Sequence, residues 1–388
     1  MKSSAFVYPW DVVGDPDAAA RIADLGVRQV TLASAYHSTR ALTPRHPEHR
    51  IVTARHAAVL YPPDAKRWAG RALRPYEQAW VAGADPFGEA AEALAGAGLE
   101  VHAWVVLAHN SRMGDEHPGT SVRNAYGDRY PWAPCIGRPE VREYLVDLAA
   151  EASARPGALG VELESCGWYG LAHLHAHDKI GGVGLGDEAQ YLMSLCFCEC
   201  CCAGYEGLGA DPGELRGAVR RALAPVWAGA PAPGTLDADV AGVFSAWRDG
   251  VASGLQRDAV AAVRAAAPAG FQVLLHAVPN RRGVGANVGV DPADVLAHAD
   301  GVVLPCTGDG AVRTAVLPPF VPHRREGTVL AANFTVVAGM GGRPSALVDD
   351  AAHAVELGAD EIRLYHAGLA SDGDLGEVRK ALARLGCF

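Results

Sequence analysis

The chain has 388 residues, 49% of them hydrophobic and 20% charged, a balance that excludes a disordered chain. Lys and Arg number 34 against 44 Asp and Glu, a formal net charge of −10, and no Lys/Arg-rich block offers the basic face of a nucleic-acid binder. No apolar run reaches the length of about 18 residues that a membrane span needs. The opening MKSSAFVYPWDVVGD lacks the core of a secretory signal, so a cytoplasmic location is expected.

Along the chain one unit recurs: an Ala-rich helix stops at Gly, and a short β-branched strand follows. In DPDAAARIADLG–VRQVTLA, Asp15 is placed to cap the helix, Pro16 suits its first turn and Gly26 its end. The pattern returns in AAEALAGAG–LEVHAWVVLA, LAAEASARPG–ALGVELE, AAVRAAAPAG–FQVLLHAV, VLAHA–DGVVLPC and AAHAVELGA–DEIRLYHA. Eight strands are predicted, near 5–9, 28–33, 100–107, 159–164, 271–276, 301–305, 328–333 and 361–366. Helices alternating with short apolar strands imply parallel β-α units. The expected fold is one (β/α)8 TIM barrel spanning 1–388, with a doubly wound sheet as the alternative. Uneven spacing predicts long insertions after strands 2, 3 and 4, about 34–88, 108–137 and 165–236. The stretch from Asp237 to Gly270 reads as one long helix.

The fourth strand carries the sharpest signal. In GVELESCGWYG, Glu162 and Glu164 are two apart and share a face, which in a barrel is the interior. A buried carboxylate is costly unless paired or hydrogen-bonded. Either Glu is therefore a support paired to a barrel Arg or Lys, or an acid/base with a raised pKa. Glu164, nearer the C-terminal mouth, is the stronger candidate. Polar and aromatic residues gather at the other strand ends: Trp10 and Asp11; Tyr36, His37 and Arg40; His109 and Asn110; His276; Cys306 and Asp309; Asn333; Tyr365 and His366. With Trp168, Tyr169, Trp132 and Tyr126 they suit a ligand with an apolar ring face and many hydroxyls, such as a sugar. His173, His175 and His177 alternate after the fourth strand and are candidates for metal or substrate contact.

Five cysteines fall within LCFCECCC. Cys196, Cys198 and Cys201 form C-x-C-x-x-C, and in a reducing compartment such a cluster points to metal rather than disulfides. Tetrahedral zinc needs a fourth ligand, which either Cys135 or Cys166 can supply. An all-sulfur site would be structural. The P-loop, H-E-x-x-H and G-x-S-x-G motifs are absent, and the glycine-rich GVGANVG lacks the strand–turn–helix frame of a dinucleotide site.

These features together resemble the glycoside-hydrolase-like TIM barrels, including the family 42 β-galactosidases with a cysteine zinc loop. PCIGRPEVREYLVDLAAE is similar to the stretch leading from the third-strand loop into its helix, GVELESCGWYG to the acid-bearing fourth strand, and CFCECC with Cys135 to the zinc ligands. The resemblance implies Glu164 as acid/base, with zinc on Cys135, Cys196, Cys198 and Cys201. The chain departs from the family at strand seven, where retaining enzymes carry a second glutamate and this sequence has Asn333. Asp309, Asp11 or Glu162 is left to act as partner. The expected function is a glycosidase on a small carbohydrate or glycoside. His37, His109, His276 and His366 would orient hydroxyls or shuttle protons, and the chain would act without nucleic acid or membrane, in a homo-oligomer or alone. The rival readings are a metal-dependent sugar isomerase or lyase, with metal on Glu164 and histidines, and a saccharide-binding pseudoenzyme.

Overall fold

The structure, a computed structural model, describes residues 1–171 and 178–386. Eight parallel strands form its centre: β1 (Lys2–Val7), β2 (Gln29–Tyr36), β3 (Glu100–Val106), β4 (Ala158–Glu164), β5 (Gln272–Val278), β6 (Gly301–Pro305), β7 (Val329–Thr335) and β8 (Glu361–Tyr365). Each pairs with its sequence neighbours, and β1 pairs with both β2 and β8, which closes the sheet into a barrel. The fold is the expected (β/α)8 barrel, and its strands lie within three residues of the predicted bounds.

One helix after each strand packs on the outside: α1 (Ala18–Ala23), α2 (Pro86–Gly96), α3 (Pro139–Ser153), α4 (Ala238–Ala266), α5 (Pro292–His298), α6 (Gly310–Val316), α7 (Leu347–Glu356) and α8 (Asp372–Leu385). Their starts follow from local chemistry. Asp85, Asp291 and Asp309 accept backbone N–H bonds at the N-termini of α2, α5 and α6, and Ser371 with Asp374 makes a capping box on α8. The cap of α1 falls on Asp17, not Asp15. The Asp15 carboxylate instead accepts the Asp17 N–H and pairs with Arg21, because the helix begins two residues later than Pro16 suggests. The long helix is present as α4, 29 residues.

Residues between the barrel units build the upper face. After β2 comes an antiparallel hairpin, Thr39–Leu42 with Ile51–Ala54. A helix, Ser111–Glu116, and a hairpin, Ser121–Arg123 with Arg129–Pro134, follow β3. Among the described residues after β4 are helices Asp187–Met193, Glu199–Gly207 and Pro212–Trp227.

The outward face of the strands packs against the helices in one large apolar core. The inward face is mixed. Leu274, Val303, Val329 and Ala331 make a small apolar cluster, while Ser4, Thr31, Glu162, Arg363 and His276 form a polar girdle beside it. Two glycines make room for this packing. A Cβ at Gly160 would stand 2.5 Å from the His102 ring, and one at Gly301 would stand 2.0 Å from the carbonyl oxygen of Val329 on the adjacent strand. The second neighbour is backbone and cannot swing away. Gly301→Ala should therefore lower the urea midpoint by the equivalent of about 3 kcal/mol, the upper range for overpacking; an unchanged midpoint would contradict the tight β6–β7 approach.

Candidate active site and metal centre

Alternation along β4 turns Glu162 and Glu164 into the barrel, but their surroundings differ. Glu162 is fully buried. Its Oε1 accepts from Arg363 Nε at 2.5 Å and from Thr31 Oγ1 at 3.2 Å, and its Oε2 accepts from His276 Nε2 at 3.3 Å. Burial alone would raise its pKa, but the Arg363 guanidinium, helped by His276, outweighs this and holds the group at about 2. Arg363 is fully buried and also donates to Glu361 at 2.8 Å. Glu162 is thus a permanent anion inside an ion-pair network, the geometry of a support.

Glu164 sits one layer higher, at the mouth, and is 8% exposed. Its Oε2 accepts from Trp104 Nε1 at 2.8 Å, and it forms no ion pair among the described residues. Burial raises its pKa. The charge of His276 and the Trp104 bond pull it back in part, and Glu162 adds to the rise. The next residue, Ser165, has φ of 56°, a left-handed conformation that costs a non-glycine residue about 1 kcal/mol or more. Hydrogen bonds hold it there: Ser165 N donates to the Ala286 carbonyl at 3.0 Å, and Ala108 N donates to the Ser165 carbonyl at 3.1 Å. The chain turns sharply where β4 ends, with Glu164 left at the rim.

Aromatic rings line that rim. Tyr8 stacks on Trp10 at 4.3 Å and on His366 at 4.1 Å, and Trp104 lies 5.8 Å from Tyr8. A second run continues from Tyr36 to His37 at 4.2 Å, His37 to His109 at 4.5 Å, and His109 to Tyr169 at 4.6 Å. Tyr8 Oη donates to Tyr36 Oη at 2.9 Å. Burial pushes the Tyr365 phenol up and Glu164 adds to this, while the hydroxyls of Tyr36 and Tyr8 bring it partly back. Asn333 lies near the end of β7 on the inward face, and its buried Oδ1 has no partner among the described residues.

The structure therefore gathers Glu164, Trp10, Tyr36, His37, His109, Tyr365 and His366 around one mouth, with Asn333 on the same inner face and His276 just below. Other predicted site residues lie elsewhere. Asp309 is exposed, and its Oδ1 caps α6 by accepting from Ala311 N at 2.9 Å and Val312 N at 3.3 Å. The Asp11 Oδ2 accepts from Tyr8 N at 2.8 Å, and the carboxylate lines a side cavity with α1 and α8. Trp168 lies under Arg248 of α4 and donates to its carbonyl at 3.0 Å. The Asn110 side chain caps helix Ser111–Glu116 through Met113 N. His173, His175 and His177 lie outside the described residues. Sequence reasoning missed Trp104, Tyr8 and Arg363. The alternation in EIRLY was the available signal, since it turns Glu361, Arg363 and Tyr365 to one face.

Beside the mouth four buried sulfurs, those of Cys135, Cys196, Cys198 and Cys201, lie within 4.8 Å of one another. Cys135 Sγ is 3.6 Å from Cys198 Sγ and 3.5 Å from Cys201 Sγ. A tetrahedral ion with metal–sulfur bonds of about 2.3 Å would set sulfurs about 3.8 Å apart, so the set fits a four-sulfur metal site. Cys196 Sγ also accepts from Arg123 N and Cys198 N, both at 3.5 Å. Cys166 is not part of the set; burial pushes its thiol up to about 12. Among the described residues this is the one group with metal-ligand geometry.

Neither the family models nor the curated proteins contain a match to this sequence. Solved structures share the fold. An α-L-fucosidase (isoenzyme 2) from Paenibacillus thiaminolyticus matches with a TM-score of 0.61 at 13% identity, over 100% of this chain and 49% of its own. The β-galactosidase from the psychrophilic Marinomonas ef1 gives 0.58 at 10% identity, over 100% and 60%. The β-galactosidase from Rahnella sp. R3 gives 0.59 at 12% identity, over 100% and 56%. The chain thus has the TIM-barrel fold of these glycoside hydrolases and spans about half to three fifths of their length.

Glu162 makes the stability of the fold depend on pH. Its pKa is lowered from 4.5 to about 2, so the pair stabilises the fold fully above about pH 4.5, and this contribution fades as pH falls toward 2. At neutral pH Arg363→Met should cost about 3–5 kcal/mol by leaving a buried charge alone, and the double variant Glu162→Leu/Arg363→Met should recover much of it. Urea denaturation of the three proteins checks this; equal losses in single and double variants would contradict it.

Proposed function

We propose that the protein is a carbohydrate-active enzyme of the glycoside-hydrolase type, with Glu164 as the general acid. The observation that carries this reading is Glu164 itself: a carboxyl group at the C-terminal end of a barrel strand, the usual place for TIM-barrel chemistry. It is free of ion pairs among the described residues, raised in pKa by burial, and ringed by aromatic faces. A neutral carboxylic acid there can protonate a glycosidic oxygen as the bond to the leaving group breaks. Trp104 Nε1–H then stabilises the carboxylate that remains. The partly exposed rings of Tyr365 and His37 offer surface to a sugar and Asn333 a polar contact to its hydroxyls, with Tyr8, Trp10, Trp104 and His366 buried behind them.

The two-carboxylate scheme of most glycosidases finds no second free carboxylate at this mouth among the described residues. Glu162 is neutralised, Asp309 caps α6, and the Asp11 carboxylate accepts the Tyr8 N–H and lines the cavity beside α1 and α8. The attacking group in this reading is water or a substituent of the substrate itself. The same observation favours a second reading, a barrel that binds saccharide without turning it over.

Glu164→Gln separates the two. On a disaccharide, whose leaving group needs protonation, the enzyme reading expects a 10²–10⁴-fold loss of kcat/KM, and a much smaller loss on a 4-nitrophenyl glycoside. The wild-type rate should fall as pH rises through the raised pKa of Glu164, and this limb should vanish in the variant. Full disaccharide rate in Glu164→Gln would refute the acid role. Saccharide binding by the wild type without turnover would support the second reading.

The four cysteines are proposed to hold zinc. Zinc would leave no open coordination position and would supply cross-linking rather than chemistry. The purified chain should contain about one zinc by plasma mass spectrometry, Cys201→Ser should lose it along with stability, and Cys202→Ser should keep it. Metal retained in Cys201→Ser would rule out this ligand set.

A further inference from the structure

With no second free carboxylate at the mouth among the described residues, a base for an attacking water has to come from other chemistry. β5 lies beside β4 in parallel register, with Leu274 opposite Glu162 and Leu275 opposite Leu163. The next step along the pair brings His276 beside Glu164, on strands about 4.8 Å apart, and alternation turns both side chains into the barrel. The His276 ring is held on two sides. Its Nε2 lies 3.3 Å from Glu162 Oε2, and the Phe6 ring meets it edge-on at 5.7 Å.

Arg363 keeps Glu162 ionised. An ionised carboxylate can only accept, so Nε2 carries the hydrogen of this bond. That bond fixes the tautomer and leaves the lone pair on Nδ1. His102 Nδ1 and His366 Nε2 are sealed in the interior without a partner. His276 Nδ1 also takes no hydrogen bond among the described residues, but it keeps accessible surface, and the ring is 3% exposed. A carboxylate-oriented imidazole with its second nitrogen open is the arrangement of a general base.

We propose that His276 is the general base of this site and holds the attacking water at Nδ1, an assignment that rests on Glu164 being the acid. As the glycosidic C–O bond breaks, its electron pair takes the Glu164 proton. The water oxygen bonds to the anomeric carbon, and one water proton passes to Nδ1. Glu162 stabilises the imidazolium so formed. Return of that proton from His276 to the neighbouring Glu164 restores the starting state, and the sum is one water added across one glycosidic bond. Direct attack by water inverts the anomeric centre.

His276→Gln tests this, because the Gln amide can still donate to Glu162 but has no basic nitrogen. On a panel of disaccharides and the matching 4-nitrophenyl glycosides, it should lose about 10²–10⁴-fold in kcat/KM on both kinds of substrate. Glu164→Gln should largely spare the 4-nitrophenyl glycosides, whose leaving group needs no protonation. The urea midpoint of His276→Gln should stay close to that of the wild type. Proton NMR of the first product anomer from the wild type needs no variant and should show inversion. Retention in the wild type, or a full rate in His276→Gln, would overturn the base role, while a selective disaccharide loss in Glu164→Gln would leave the acid role standing. Absence of any wild-type turnover would overturn both assignments.

Discussion

The ion pair between Glu162 and Arg363 crosses the barrel from strand 4 to strand 8. Both partners are fully buried, so neither charge has an alternative in water, and losing one strands the other. Thr31, His276 and Glu361 complete the network. It ties β2, β4, β5 and β8 to one point below the mouth and so sets the height at which Glu164 emerges. A purely apolar interior of equal volume could be as stable. It would lack these directional bonds, and the position of the strand above them would be less fixed.

Two glutamates separated by one residue therefore take opposite roles through environment alone. Arginine lies beside the lower one, which stays ionised under nearly all conditions. The upper one has an indole N–H and a buried, aromatic setting, which favours its neutral form. The polar chemistry of the mouth is arranged around this contrast, with the phenols of Tyr8, Tyr36, Tyr169 and Tyr365 among stacked rings and no second free carboxylate among the described residues.

The barrel was legible in the sequence because its punctuation is local. An Ala-rich helix followed by a β-branched run, most often with Gly between them, marks six of the eight strands without knowledge of any contact. The cysteine cluster was legible for a similar reason: thiols at this spacing have few stable fates, and Cys135 or Cys166 were the natural choices for its fourth member. The partner of Glu162 was less legible. That a buried Glu would pair with a barrel Arg followed from desolvation, but Arg363 lies 201 residues away, and only closure of the sheet brings the two together. Asp309 and Asp11 have surroundings that the strand-end pattern did not reveal. A carboxylate at a strand's end is also a carboxylate just before a helix or turn, and backbone N–H groups claimed both. The Asp-Gly step ahead of AVRTAV carried that capping signal, and the functional pattern at the strand ends overshadowed it.

The sulfur cluster joins the end of the excursion after β3, at Cys135, to the excursion after β4, at Cys196 to Cys201. These two loops are therefore not independent modules. Lengthening or grafting one of them must preserve the register of the other, whereas the hairpin after β2 supplies no sulfur to this fastening. Diversification of the upper face by loop exchange is accordingly most constrained where the two later loops share these four sulfurs.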